Sequence, residues 1–249
     1  MTNAVLELIH RHASVRHYKP DPLPRDMIEA IVRAAQRAST SSNLQSWSVI
    51  AVTEAGRRQR LAELCGQNHI AEAPLFLAWC ADLARLDRVC QMRGYTQVTQ
   101  YVENFLVAAV DAAIAAQNAA LAAESLGLGI CYIGTIRNEP QAVIELLALP
   151  RLTFPLVGMT IGWPAHTPRV KPRLPLEAIL HWETYNPHQD EALRSYDREM
   201  ASSGVYARLP LSEEERKDYG WLEHSARRAS QVQRTNLREI LKKQGFDLI

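Results

Sequence analysis

The sequence predicts a single α+β domain, and three observations carry that expectation. Strand-length apolar runs are interleaved with segments of helical periodicity, an alanine-rich helix-length stretch sits mid-chain, and 47% apolar residues among 249 can fill a core. The formal net charge is +1, from 28 basic and 27 acidic residues. That balance leaves no global field to attract nucleic acid or an anionic membrane, so local basic clusters must answer to a local ligand.

Leu6 and Ile9 begin a short helix, and Glu7 arrives before an apolar leader segment can develop. No secretory pattern is visible, which makes the cytoplasm the default. Pro22 and Pro24 punctuate the chain before Met27, Ile28, Ile31, Val32 and Ala35 recur at helical spacing up to Ala38. Trp47 to Val52 reads as a buried strand, Ala55 to Cys65 as a helix and Pro74 to Cys80 as a second, almost continuously apolar strand. A long helix follows over Gln100 to Leu126. Within it Asp111, Gln117, Asn118 and Glu124 interrupt the apolar run too often for a membrane span, and its alanines permit close helix approach, as in a packed central or interface helix.

Gly127-Leu128-Gly129 ends that helix, because glycine supplies the left-handed turn common just past a helix C-terminus. A dinucleotide-binding turn runs the other way, from strand into helix, and here Tyr132 stands where its third glycine belongs. Ile130 to Ile136 and Thr153 to Ile161 supply two further strands around a helix from Pro140 to Leu147. From His188 onward the chain becomes charged, with Glu213 to Lys217 as a charge run and a final helix over Leu222 to Lys243. Such a tail cannot easily bury a core of its own. Cys65, Cys80, Cys90 and Cys131 have no CxxC spacing and read as reduced and structural.

Three polar segments remain to be explained. His12-Ala13-Ser14-Val15-Arg16 lies near the start, Lys171-Pro172-Arg173 follows the last strand, and Ser39-Thr40-Ser41-Ser42-Asn43-Leu44-Gln45 has a single apolar side chain in seven residues. Read alone, each is also compatible with a solvated loop. Together they suit a phosphorylated, heteroatom-rich ligand: ionised phosphate needs charge-assisted donors, and a polar ring edge needs directional ones. His10 and His12 lack the HExxH, cysteine or carboxylate companions of a metal site, and no G-x-S-x-G elbow nominates a nucleophile. No metal is therefore expected.

Four motifs in register resemble the nitroreductase superfamily of FMN enzymes, in its NADPH-dependent branch of oxygen-insensitive nitroreductases and flavin reductases. They are His12 to Tyr18, Ser39 to Gln45, Ala122 to Gly129 with Tyr132-Ile133-Gly134, and Gly162-Trp163-Pro164 leading to Lys171-Pro172-Arg173-Leu174-Pro175. The resemblance implies a nitroreductase-like α+β fold with a central, mainly antiparallel sheet flanked by helices in an intertwined homodimer. Residues 1–187 would form the FMN-binding core and 188–249 an extension of the same domain wrapping the partner subunit.

The same resemblance implies site residues. His12, Ser14 and Arg16 match the first flavin motif, Ser39, Thr40, Ser41 and Gln45 the hydroxyl-rich loop, and Gln67 a flavin-contacting glutamine. Tyr132, Ile133, Gly134 and Thr135 match the backbone beside the flavin ring, and Lys171 and Arg173 the second basic motif. Ser42 and Asn43 would face the acceptor, Arg208, Arg216 and Lys217 the 2′-phosphate of NADPH, and Arg234 the acceptor pocket. Three positions depart from the pattern. Ala13 stands where relatives often carry arginine, with Arg11 nearby to compensate; Asn43 replaces an aromatic residue; Thr135 replaces a second glycine.

The implied chemistry is a ping-pong transfer of two electrons from NADPH through FMN to nitroaromatics, quinones or flavins, with the cofactor rather than a side chain carrying the hydride. A dedicated flavin reductase supplying a partner oxygenase and a non-catalytic FMN-binding or storage protein are the alternatives.

Overall fold

Strands β1 (Trp47–Val52), β2 (Leu75–Asp82), β3 (Gly129–Ile133) and β4 (Thr153–Gly162) form one antiparallel sheet in the order β1-β2-β4-β3. Strand β2 is buried along its whole length. In an antiparallel sheet that requires cover on both faces, which explains why its sequence is continuously apolar instead of alternating. The computed structural model describes residues 3–249; Met1 and Thr2, where the leader reading begins, lie outside the described residues.

The pleat divides the core in two. Leu75, Leu77 and Trp79 point to one face, against helices α2 (Arg25–Ala35) and α6 (Val102–Ser125), with the Trp47 and Trp79 rings 5.6 Å apart. Phe76 and Ala78 point to the other, against α3 (Ala55–Cys65), α4 (His69–Glu72) and α7 (Pro140–Leu146). Along α6, Ala108, Ala112, Ala115, Ala116, Ala119, Ala120 and Ala123 are buried, so the absent side-chain bulk brings the helix backbone close to the sheet. By length and composition alone α6, with a mean hydropathy of 1.6, passes for a membrane span. Its alanine face belongs instead to the core, as its interrupting polar residues foretold.

Pro155 lies inside the central strand β4, where a missing N–H would break a ladder. The register resolves this: Trp79 pairs with Val157 and Cys80 with Pro155, leaving Leu156 as a bulge. The Arg137 guanidinium donates to the carbonyl of that bulged residue. Helix α6 ends as expected, with Gly127 at φ +80° and the amides of Gly127 and Leu128 donating to the carbonyls of Glu124 and Ala123.

The described residues fall into two compact units, residues 3–168 with 234–249, and residues 169–233. The first unit includes α1 (Ala4–His10), α5 (Ala84–Arg93) and the chain's last helix, α11 (Leu237–Lys243). Ile240, Leu241 and Phe246 join Phe105 and Phe154 in a third cluster, the Phe105 and Phe246 rings meeting edge-on at 5.2 Å. The end of the charged tail thus shares an existing core. The second unit holds α8 (Asp190–Ser202), α9 (Glu213–Lys217) and α10 (Trp221–Ala229). There Tyr196 packs on Trp221 at 5.4 Å, and Asp197 Oδ1 accepts the Leu222 amide at 2.7 Å.

Two expected elements differ. The final helix expected over Leu222 to Lys243 is broken between Ala229 and Leu237, where Ser230 turns its hydroxyl onto the Arg227 carbonyl and Arg234 takes φ +51°. A serine that bonds the preceding turn competes with helix continuation. The strand expected over Ile130 to Ile136 stops at Ile133, and Gly134–Arg137 form a 3-10 turn. Helices α4, α5 and α8 carry too few buried residues for periodicity to announce them. Cys65, Cys80 and Cys131 are buried, and burial pushes the Cys65 thiol up to about 12, so it holds no thiolate at neutral pH.

Candidate active site

The first basic motif runs beside strand β3. The Val15 amide donates to the Ile130 carbonyl at 2.8 Å, and the Tyr18 hydroxyl donates to the Val15 carbonyl at 2.7 Å while meeting Thr160 Oγ1 at 2.7 Å. Val15 is thereby held inside, which turns its neighbours Ser14 and Arg16 outward by the extended chain's period of two. The fit against the sheet depends on Gly129, since a Cβ there would lie 2.4 Å from Val15 Cγ2. Arg16 has no hydrogen bond or ion pair among the described residues.

His12 is braced from behind. Its Nδ1 lies 2.5 Å from Glu124 Oε1 in the last turn of α6, so an ionised Glu124 places the ring proton on Nδ1 and leaves Nε2 as the acceptor. A second proton, on Nε2, would make that atom a donor to an anion, with Glu124 balancing the charge.

The hydroxyl-rich loop is anchored from below. Both Asp111 oxygens accept backbone amides, Oδ1 from Ser41 at 3.0 Å and Oδ2 from Ser46 at 3.1 Å. Between these anchors Ser42, Asn43 and Gln45 adopt φ of 48°, 56° and 54°. Ser39, Ser41, Ser42, Asn43 and Gln45 are exposed and Thr40 half-buried. Gln45 Nε2 reaches the Asn43 carbonyl at 3.3 Å.

Gln67 and Thr135 come together: Gln67 Nε2 donates to Thr135 Oγ1 at 2.9 Å. The threonine that replaces a glycine of the family pattern therefore engages the glutamine's amide. Tyr132 is half-buried and its hydroxyl donates to Gln117 Oε1 at 3.3 Å, whereas Ile133 is buried in the core. At Gly134 a Cβ would find only Arg137 Nη2 within 4 Å, at 3.7 Å. Arg234 donates through Nε to Asn138 Oδ1 at 3.0 Å, just beyond that turn.

In the second unit Lys171 and Arg173 are exposed, and Pro172 between them is tied to α8 by the Tyr196 hydroxyl, which donates to its carbonyl at 3.1 Å. Arg173 Nη1 donates to the Lys171 and Pro172 carbonyls at 3.0 and 3.2 Å. Arg208 is exposed. Arg216 staples the Ala207 and Leu209 carbonyls at 3.1 and 2.7 Å, and Lys217 pairs with Glu214 at 3.0 Å.

Asp111, Glu124 and Tyr18 are the residues that sequence reasoning did not assign to the site. The two acids interrupt an alanine-rich helix, which is a signal in itself: a charge on an apolar face needs a partner. The partners, two backbone amides and a histidine, are distant in sequence.

His69 lies near Arg16. Burial and then the Arg16 guanidinium hold its imidazole below the ordinary value of 6.5. The unfolded chain therefore binds the proton more readily, and stability present above pH 6.5 is lost as pH falls through 6.5 toward the depressed folded value. Melting temperatures measured from pH 7.5 to 5 should fall more steeply for the native protein than for His69→Gln. Identical slopes would remove His69 from the account.

Residues 9–163 match the family model for "Nitroreductase family", and residues 171–249 that for "Nitroreductase family, C-terminal domain". The chain belongs to the nitroreductase family. Among curated relatives, the oxygen-insensitive NADPH nitroreductase of Salmonella typhimurium is 39% identical over 242 residues, 97% of each chain. The FMN reductase (NADPH) of Bacillus subtilis is 36% identical over 251 residues, covering 98% of this chain and 99% of its own. The solved structure of B. megaterium NfrA2 superposes with a TM-score of 0.93 at 36% identity, covering 100% of both chains. The nitroreductase-like α+β fold implied by the four motifs is thus the fold of this chain.

Proposed function

We propose that this protein is an FMN-dependent oxidoreductase that passes two electrons, in alternating half-reactions, from NADPH to a nitroaromatic, quinone or flavin acceptor. The observation that carries the reading is the first basic motif: an exposed Arg16 with no protein partner among the described residues, beside a His12 braced by Glu124, on backbone pinned to the sheet. A guanidinium is a charge-assisted donor suited to a phosphate, and the imidazole beside it adds a ring nitrogen held in place by Glu124.

The residues present fit the rest of a flavin mononucleotide. Ser39, Thr40, Ser41 and Gln45 offer hydroxyl and amide groups to its polar chain and ring edge, and Gly134 carries no side chain where a planar ring would approach the backbone. Lys171 and Arg173, exposed in the second unit, have the cationic chemistry that suits phosphate and charge on a reduced ring. When bound, FMN supplies the two-electron hydride chemistry. The protein binds, orients and excludes water; no side chain is assigned as general acid, so an acceptor takes its proton from solvent. Ser42 and Asn43 are proposed to face the acceptor and Arg234 to line its pocket. Arg208, Arg216 and Lys217 are the candidates for the 2′-phosphate of NADPH, with Arg208 the strongest because the other two already hold protein partners.

The test is an absorbance spectrum of the purified protein before and after anaerobic NADPH addition. A flavin spectrum that bleaches and returns with acceptor supports the oxidoreductase and excludes a passive FMN store. Protein that stays colourless after FMN reconstitution overturns it. The Bacillus subtilis relative, an FMN reductase, favours free flavin as one acceptor.

A homodimer located in the cytoplasm completes the proposal. Val102, Leu106, Val110 and Ile114 recur every four residues on the face of α6 opposite its alanines and are 41–52% exposed. Val5, Leu6 and Ile9 are likewise exposed on α1. An apolar stripe of this length on a core helix is characteristic of a protein interface. Sedimentation should give twice the chain mass for the native protein and the chain mass for Leu106→Glu/Val110→Glu; a native monomer would end the dimer reading.

A further inference from the structure

Asp111 is 2% exposed and sits within the alanine face of α6. A carboxylate in such surroundings is costly unless its oxygens are satisfied. Here each oxygen takes one backbone amide, and the two donors, Ser41 and Ser46, bracket a loop of four residues. Three of those four, Ser42, Asn43 and Gln45, hold positive φ without being glycine. Such conformations persist only where surrounding contacts over-determine them. From the far side Arg85 supplies the complementary hold, its Nη1 donating to the Gln45 carbonyl at 3.1 Å and its Nη2 to Ser48 Oγ at 2.7 Å. The loop is therefore gripped by its amides on a buried anion and by a carbonyl on a cation.

We propose that Asp111 is a positioning residue, whose carboxylate keeps the Ser41 to Ser46 backbone in the left-handed course that presents the loop's hydroxyls and amides to bound flavin and acceptor. The inference rests on the FMN reading above and extends it to a residue whose two carboxylate oxygens are both engaged by the loop's own backbone. An unclamped loop would relax toward ordinary φ values and redirect Ser41, Ser42 and Gln45 without removing any of them. Its signature is weaker flavin binding with every contacting side chain still present.

Flavin fluorescence quenching on titration of apoprotein tests this. The FMN dissociation constant is expected to rise in the order wild type, Asp111→Asn, Asp111→Ala. Asparagine keeps one acceptor oxygen but turns its amide donors toward the second backbone N–H, and alanine loses both acceptors. A rise of about 10-fold or more is expected for alanine, corresponding to two lost charge-assisted bonds used only in part for ligand orientation. Phe246→Leu, in the third core cluster, serves as the stability control. At a matched loss of melting temperature it should leave the flavin constant unchanged.

An unchanged constant in Asp111→Asn overturns the proposal, as does an equal rise in Phe246→Leu, which would make the effect one of general stability. If the alanine variant does not fold, the asparagine variant decides. Failure of the wild type itself to bind FMN is seen before any variant is compared, and overturns the parent reading instead.

Discussion

Replacing Arg16 with alanine is expected to weaken FMN binding by about 10- to 100-fold. A hydrogen bond to a charged group contributes about 1.5–3 kcal/mol, and each 1.4 kcal/mol is a factor of ten in affinity. The stability of the apoprotein should barely change, because Arg16 is exposed and has no protein partner to lose among the described residues. Arg16→Lys should recover the charge but not the fork of paired donors, and so should fall between the two. Flavin titration together with thermal melting checks both halves. Full flavin occupancy in Arg16→Ala would detach the first motif from phosphate and remove the main support for the proposed function.

Gly129→Ala should damage stability and binding together. The added Cβ would lie 2.4 Å from Val15 Cγ2 and 2.7 Å from Val15 Cβ, and Val15 is a buried, β-branched residue with little freedom to move aside. Overpacking of this kind costs about 1–3 kcal/mol, which for a chain of this size lowers the melting temperature by about 2–12 °C. The relief open to the chain is for the Val15 segment to lift from β3, breaking the bond from the Val15 amide to Ile130 and displacing His12, Ser14 and Arg16. FMN affinity should fall with stability. Trimming the neighbour in Gly129→Ala/Val15→Ala should return part of both, and a double variant no better than the single would show that the clash is relieved elsewhere. Position 129 thus links packing to binding.

Much of this was open to a reading of residue types. The strands from Trp47 to Val52 and from Thr153 to Ile161 are apolar runs between breakers, and the long helix is visible in its alanines and ends on a glycine that takes the expected left-handed turn. Helix α5, by contrast, buries no residue, so no apolar period marks it. The break at Ser230 to Asn236 escaped notice because the flanking segments share helical composition, and a serine bonded to its preceding turn is a local event that pattern averaging hides.

The site divides along the same line. His12, Ser14, Arg16 and the Ser39 to Gln45 loop could be singled out because, though each segment alone also suits a solvated loop, the order and spacing of these polar segments match the family's motifs. That Asp111 grips the loop, that Glu124 braces His12 and that Thr135 takes the amide of Gln67 could not be read from spacing, since the partners lie 65 to 112 residues apart. The sequence by itself determined the element types, the family and the chemical character of the donors, because those depend on local periodicity and on residue identity. Only the tertiary structure decided which donors are exposed and which are already engaged, because hydrogen-bond pairing across a packed sheet and its helices follows from register and burial.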